Sequence, residues 1–284
     1  MTKAIFRLFP LAVAVLVLYV SYLSLSKREF VLKTISSQLS LLERPTLKIS
    51  YLSINSPKDI VSIRCEAVKP VTYTKVVSLA PLPIEKKKEK FIELMLPSVL
   101  IGNYEVELVR RNLEKIKRKL SKGYKLSRDE IKLVEEILDR CRVDSLEEAL
   151  ERANPVPPSL VIAQAAVESG WGTSRFFVEG NNPFGIWSFG KNSETIKAFG
   201  SGVRLKRYGS ILEAVRDYLY NVNVGWAYEG FRGHRLKSMN PLELAEHLTF
   251  YSIRRDMYIQ AVKKVIVENE LHKLDGCRLS VKER

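Results

Sequence analysis

Residues 159–169, SLVIAQAAVES, are apolar nearly all round. A helix without a polar face has to be enclosed by other elements on every side, so any fold open to this chain is built around that segment. Pro157-Pro158 open it, where proline sacrifices no hydrogen bond because first-turn amides have no intrahelical partner. Gly170 stands just past its end, suited to a left-handed C-terminal cap.

Amphipathic neighbours for such a helix lie on both sides. From about Lys88, FIELMLPSVLIGNYEVELVRRNLEKIKRKL carries apolar residues at three- and four-residue spacing and basic residues on the opposite face; Pro97 is expected to break or kink it. Ser127 begins SRDEIKLVEEILDRC, with Glu130 placed for a capping box. Ser145 starts a short helix that Asn154-Pro155 ends. Ser210, with a capping-box Glu213, opens SILEAVRDYLYNV, and two more helices are expected around 241–250 and 257–270. Residues 171–190 are loop by their glycine and asparagine content, with Ser174 a candidate cap. SETIKAFGSGVRLKRYGS reads as two short strands about a turn at 199–202. Residues 27–84 hold runs such as LKISYLSI and TYTKVVSLA between prolines, the pattern of a few extended or β segments.

At the N-terminus, Lys3 and Arg7 precede a charge-free apolar run, residues 9–25, closed by Lys27-Arg28. Roughly 17 residues at about 1.5 Å each just reach across a bilayer core. Without a small-x-small cleavage site, the run reads as an uncleaved single-pass signal anchor, residues 1–26; a cleaved signal peptide is the alternative. Either reading exports the rest of the chain. The flanking charges nearly balance and do not set orientation.

Lys and Arg total 46 against 32 acids, a net charge of +14, which fits a polyanionic partner. The basic residues concentrate around 86–125 without interleaved aromatics or a nucleic-acid motif, so an anionic membrane or wall surface is expected and nucleic acid is not. Cys65, Cys141 and Cys277 form no CxxC, and His234, His247 and His272 are dispersed; no metal site and no cofactor are expected. One disulfide, Cys141 to Cys277, is compatible with an oxidising compartment.

The chemistry points to Glu168, on the last turn of the apolar helix. Desolvation by apolar neighbours and the negative end of the helix dipole both favour its protonated form. A carboxylic acid that keeps its proton near neutral pH can deliver it to the leaving oxygen of a glycoside. A glutamate simply pointing to water is the competing reading.

The surrounding AQAAVESGWGTSRFFVEGNNPFGIW, residues 163–187, resembles the Bax-like bacterial cell-wall glucosaminidases of glycoside hydrolase family 73, with their mannosyl-glycoprotein endo-beta-N-acetylglucosaminidase-like domain. The resemblance runs from about Lys87 to Asp275, through KRYGSILEAVRDYLYNV and the Tyr251-Ser252, Asp256 and Tyr258 element. It implies a mainly α (α+β), lysozyme-like helical domain with a small β-hairpin lobe, residues 155–284, after a helical preamble, 85–154, an extended juxtamembrane region, 27–84, and the anchor. It implies hydrolysis of the β-1,4 bond between N-acetylglucosamine and N-acetylmuramic acid in peptidoglycan, in the cell envelope, with Glu168 as acid and Tyr251 lining the cleft.

Asn181, Asn182, Trp187, Tyr208 and Tyr258 are the candidate substrate-binding residues. For the asparagines a tight loop bonded to backbone is the plainer reading; for Trp187, core packing competes with stacking on a sugar. Trp171 is expected as a lid over the turn after the helix, and Asp217 and Tyr218 as structural. The second catalytic group is open: Glu194, the acid of the short hairpin lobe, is either the base or a solvated strand residue, and otherwise the substrate's own N-acetyl group supplies the nucleophile. Two further readings are a lytic transglycosylase, although its GLMQ-type motif is missing, and a non-catalytic membrane-anchored wall-binding protein.

Overall fold

The computed structural model describes residues 47–188, 194–197, 204–252 and 255–280. The expected anchor, the first part of the 27–84 region and the 199–202 turn lie outside the described residues. In chain order the elements are β1 (Ser50–Ser53), β2 (Val71–Lys75), α1 (Ile84–Ser121), α2 (Arg128–Cys141), α3 (Leu146–Arg152), α4 (Pro158–Ser169) and α5 (Arg175–Gly180). There follow β3 (Thr195–Lys197), β4 (Arg204–Lys206), α6 (Ile211–Val224), α7 (Glu229–Arg235), α8 (Pro241–Ala245) and α9 (Asp256–Glu268). The architecture is mostly helical with two small two-stranded sheets.

Helix α4 is the central element. Every residue from Leu160 to Ala166 is buried, enclosed by α1, α8, α9 and the short 3-10 helix Leu271–Gly276. Its N-terminus has no local side-chain cap. Asp275 serves instead, accepting hydrogen bonds from the Ser159 amide at 2.8 Å and the Ser159 hydroxyl at 2.7 Å. The chain entering α4 is pinned by the buried Asn103 of α1, whose side chain exchanges two hydrogen bonds with the Val156 backbone. At the other end Gly170 takes the left-handed cap, φ 60°.

Helix α1 runs 38 residues, about 57 Å, through Pro97 without the expected break. Proline there removes the bond to the Glu93 carbonyl, a cost of about 3 kcal/mol. The buried side chains on either side, Leu94, Leu96, Val99 and Leu100 among them, each contribute roughly 1.5–3 kcal/mol and hold the helix through it. Long as it is, α1 is too charged to span a bilayer; among the described residues no helix is long and apolar enough to cross a membrane.

The strands β1 and β2 pair in parallel, with Ser50 opposite Val71. They do not stand apart from the helices: Tyr73, Val76 and Leu79 share one hydrophobic core with Leu160 and Val161, so residues on both sides of the 84/85 and 154/155 boundaries are packed together. Thr72 joins the layers, its hydroxyl oxygen accepting from Ser98 and from the Leu212 amide. The chain's end closes over this region, with Arg278 donating to the Cys65 carbonyl and Val68 to the Arg278 carbonyl.

A disulfide joins Cys65 to Cys277 across 212 residues, and Cys141 is the buried free thiol. The expected partner of Cys277 is therefore corrected: Cys141 sits in a separate small core made with Leu113, Ile137, Val143, Ala149 and Ala153.

Local signals explain the remaining termini. Ser127 and Glu130 make the full capping box, and Ser145 and Ser174 cap α3 and α5. Ser210 caps α6, but the Glu213 carboxylate accepts from Gly209 rather than from Ser210, so that box is displaced by one residue. Strands β3 and β4 pair antiparallel, Ile196 opposite Leu205, as expected. Helix α9 begins at Asp256 and α8 spans only Pro241–Ala245, shorter than the periodicity predicts.

Candidate active site

Glu168 occupies the last turn of α4, half-buried, where the apolar helix meets the surface. The three residues after Ser169 all have positive φ: Gly170 at 60°, Trp171 at 58° and Gly172 at 77°. For a bulky tryptophan this is an unfavourable backbone region, and packing compensates: its ring meets Phe91 edge-on at 5.7 Å, as a lid over the turn. The turn is tied back by Ser169, which donates to the Ala165 carbonyl and accepts from the Gly172 amide. Glu168 is thus held on a rigid end.

The loop after α5 runs against the carboxyl. Gly185 adopts φ 63°, and a Cβ there would lie 3.5 Å from Glu168 Oε2. Two buried amides lash this loop down. Asn181 Nδ2 donates to the Thr74 and Tyr208 carbonyls, and Asn182 Nδ2 donates to those of Ile186 and Lys206 while its Oδ1 accepts from the Ile186 amide. Asn181 and Asn182 are 7% and 1% exposed, buried positions that suit the plainer reading, anchoring of the loop.

Behind Glu168 lies a set of tyrosines. Gln164, one helical turn earlier on the same face, accepts from the Tyr218 hydroxyl at 2.6 Å and donates to the Tyr258 hydroxyl at 3.0 Å. Tyr251 stacks on Tyr258 with centroids 5.3 Å apart and donates to the Phe184 carbonyl at 3.4 Å. Phe184 in turn stacks on Tyr218 at 4.5 Å. Burial, and then neighbouring Tyr258 and the Glu168 charge, push the Tyr251 phenol well above its ordinary range; burial and then Glu168 do the same for Tyr258. Burial moves Tyr228 up to about 12. The carboxyl therefore faces phenols that keep their protons, those of Tyr218 and Tyr251 directed to Gln164 and to the Phe184 carbonyl.

Of the residues expected in the site, Glu168, Tyr251 and Tyr258 come together. Tyr258, 1% exposed, is stacked against Tyr251. Tyr208 is half-buried and donates to Asp217 Oδ2 at 2.7 Å, beside the Lys206–Asp217 ion pair at 2.6 Å, closing the hairpin onto α6. Trp187 pairs with Leu205 at the edge of the β3–β4 sheet and is 46% exposed, so it is not a core residue. Glu194 is exposed just before β3, its backbone carbonyl accepting from Arg207.

Gln164, Phe184 and Tyr228 were not singled out from the sequence. Gln164 carries the detectable signal: a polar side chain on a wholly buried helix must find partners. A second aromatic pair, Trp226 and Phe250, lies 5.9 Å apart and is 81% and 60% exposed. It neighbours the inner pair of Tyr228 and Tyr251 in the chain.

Residues 144–271 match the glucosaminidase family, described as mannosyl-glycoprotein endo-beta-N-acetylglucosaminidase. The chain is 37% identical over 86 residues to Protein bax of Escherichia coli (strain K12), covering 30% of this chain and 31% of that protein. The catalytic domain of the autolysin Auto from Listeria monocytogenes aligns with a TM-score of 0.36 and 22% identity, over 49% of this chain and 80% of that one. A peptidoglycan hydrolase from Sphingomonas sp. A1 aligns with a TM-score of 0.35 and 24% identity, over 49% and 90%. The family segment excludes β1, β2 and α1, although all three complete its core.

Proposed function

We propose that this chain, whose residues 144–271 match the glucosaminidase family, is a peptidoglycan hydrolase that cleaves the β-1,4 bond between N-acetylglucosamine and N-acetylmuramic acid. The observation that carries the reading is the position of Glu168: a half-buried carboxyl at the rigid end of an enclosed helix, beside Gly185 and in front of protonated tyrosines. Glu168 donates its proton to the glycosidic oxygen as the bond to the anomeric carbon breaks, and the positive charge that develops on the sugar is met by water or an internal nucleophile. The neutral Tyr251 hydroxyl lies near the reacting centre with its proton on the Phe184 carbonyl, and Tyr258 and Gln164 hold its ring in register.

The second group is assigned to one of two sources. Glu194, exposed at the foot of the hairpin lobe, is the carboxylate that lobe offers; the alternative is the substrate's own N-acetyl oxygen. Trp187 and the open Trp226–Phe250 pair offer ring faces on which pyranose rings can stack. The Cys65–Cys277 disulfide supports an exported catalytic region, since such bonds persist in oxidising compartments. In this reading the apolar run 9–25 is the anchor and the enzyme acts on the outer side of the cytoplasmic membrane.

Zymography on peptidoglycan tests this. The wild-type chain is expected to clear the gel and Glu168→Gln to leave it opaque, with both equally folded by circular dichroism. Equal clearing by the two removes Glu168 from catalysis; no clearing by either favours a wall-binding protein.

A further inference from the structure

We propose that the end of α1 and the loop leading into α2, residues 115–128, dock on an anionic lipid bilayer. The segment holds seven lysines and arginines and no acid, since Glu114 and Asp129 lie just outside it. A charge equal to half of the chain's net +14 is thereby gathered into the last two turns of α1 and its connecting loop. Every residue from Lys117 to Lys125 is exposed. Among the described ion pairs, Lys117 meets Glu147 at 3.0 Å and Lys119 meets Glu130 at 2.6 Å; Lys122 and Lys125 stand at the tip around Gly123.

Lys119 and Lys117 serve the fold through Glu130 and Glu147, but the excess of like charge does not. The adjoining small core is made by Leu113, Ile137, Cys141 and Ala149, and like charges crowded at its end repel one another, a cost that a surface of mixed signs avoids. An external anionic surface converts that cost into binding. Between the cations sit two apolar side chains open to solvent, Leu120 at 44% and Tyr124 at 62% exposure. A hydrated wall polymer has no apolar layer to take up the leucine, whereas the headgroup boundary of a bilayer accommodates tyrosine and leucine together under a fringe of lysines. The apolar run 9–25 is expected to bring the chain to a bilayer. This inference does not depend on the hydrolase reading.

The test uses the full chain with Ser121→Cys carrying an environment-sensitive fluorophore, reconstituted into liposomes of phosphatidylcholine alone or with 30% phosphatidylglycerol. Cys141 is buried, and the unsubstituted chain controls for its labelling. Docking gives a blue shift and quenching by lipid-borne quenchers in the anionic liposomes only, reversed by about 1 M salt. Each charge removed is expected to lower the docked fraction ratio about fivefold, and the Arg118→Gln, Lys122→Gln, Lys125→Gln triple variant about 100-fold, with unchanged thermal unfolding. Equal emission in neutral and anionic liposomes overturns the proposal. So does a shift produced by purified sacculi and not by the anionic bilayer.

Discussion

Around α4 the buried polar groups answer one another: Gln164 between Tyr218 and Tyr258, Asn103 on Val156, Asp275 on Ser159. In the outer cluster of α2, α3 and the second half of α1, a small apolar core is rimmed by caps and surface ion pairs such as Arg111–Glu107 and Lys117–Glu147. Surface pairs of this kind contribute about 0–1 kcal/mol each, while a buried polar group left without its partner costs about 1–3 kcal/mol. The difference teaches where this chain requires exact geometry. The inner region fixes the carboxyl and its phenols in one arrangement; the outer region tolerates change and presents a surplus of positive charge at its exposed end.

The sharpest way to break the contrast is Gln164→Leu. It orphans two buried hydroxyls, and a loss of roughly 2–5 kcal/mol is expected in denaturant unfolding, with activity falling in parallel. Removing the Cys65–Cys277 bond by a double serine variant loosens the clasp over the inner region and is expected to cost about 2–4 kcal/mol, read as a drop in Tm of roughly 5–15 °C. Ser127→Ala, at the capping box of α2, is expected to cost about 1 kcal/mol and to leave hydrolysis unchanged. If Ser127→Ala matches Gln164→Leu in its effect, the distinction between the two regions fails.

Alkaline titration sharpens the same comparison. Burial raises the Tyr218, Tyr251 and Tyr258 phenols above the ordinary value of 10.0. Unfolded phenols release their protons near pH 10 while the folded ones retain them, so the unfolded state binds fewer protons there and stability falls as pH rises past about 10. Below about pH 9 these groups make no pH-dependent contribution. Unfolding free energies measured from pH 7 to 11 are expected to be level and then to decline; a decline already at pH 8 contradicts the burial of these phenols.

Much of this was legible in local sequence. The all-round apolarity of residues 159–169, the glycine past its end and the Ser127–Glu130 spacing act within one or two helical turns, and the structure shows each as read. What was not legible depends on distance in the chain. Cys65 and Cys277 are brought together by a fold spanning 212 residues, and nothing near either cysteine marks the other. Pro97 reads as a breaker because its local cost is visible while the burial that offsets it is not. In the site, Glu168 and Tyr251 stood out by motif, whereas the tie through Gln164 emerged only when Tyr218 and Tyr258 were seen on either side of it.

Mass spectrometry of the fragments released from purified sacculi tests the central claim most directly. The wild-type chain is expected to leave N-acetylglucosamine at the new reducing ends, with Glu168→Gln slower by about 100-fold or more. Anhydro-muramic ends, or the same fragments released at the same rate by both proteins, would contradict the account.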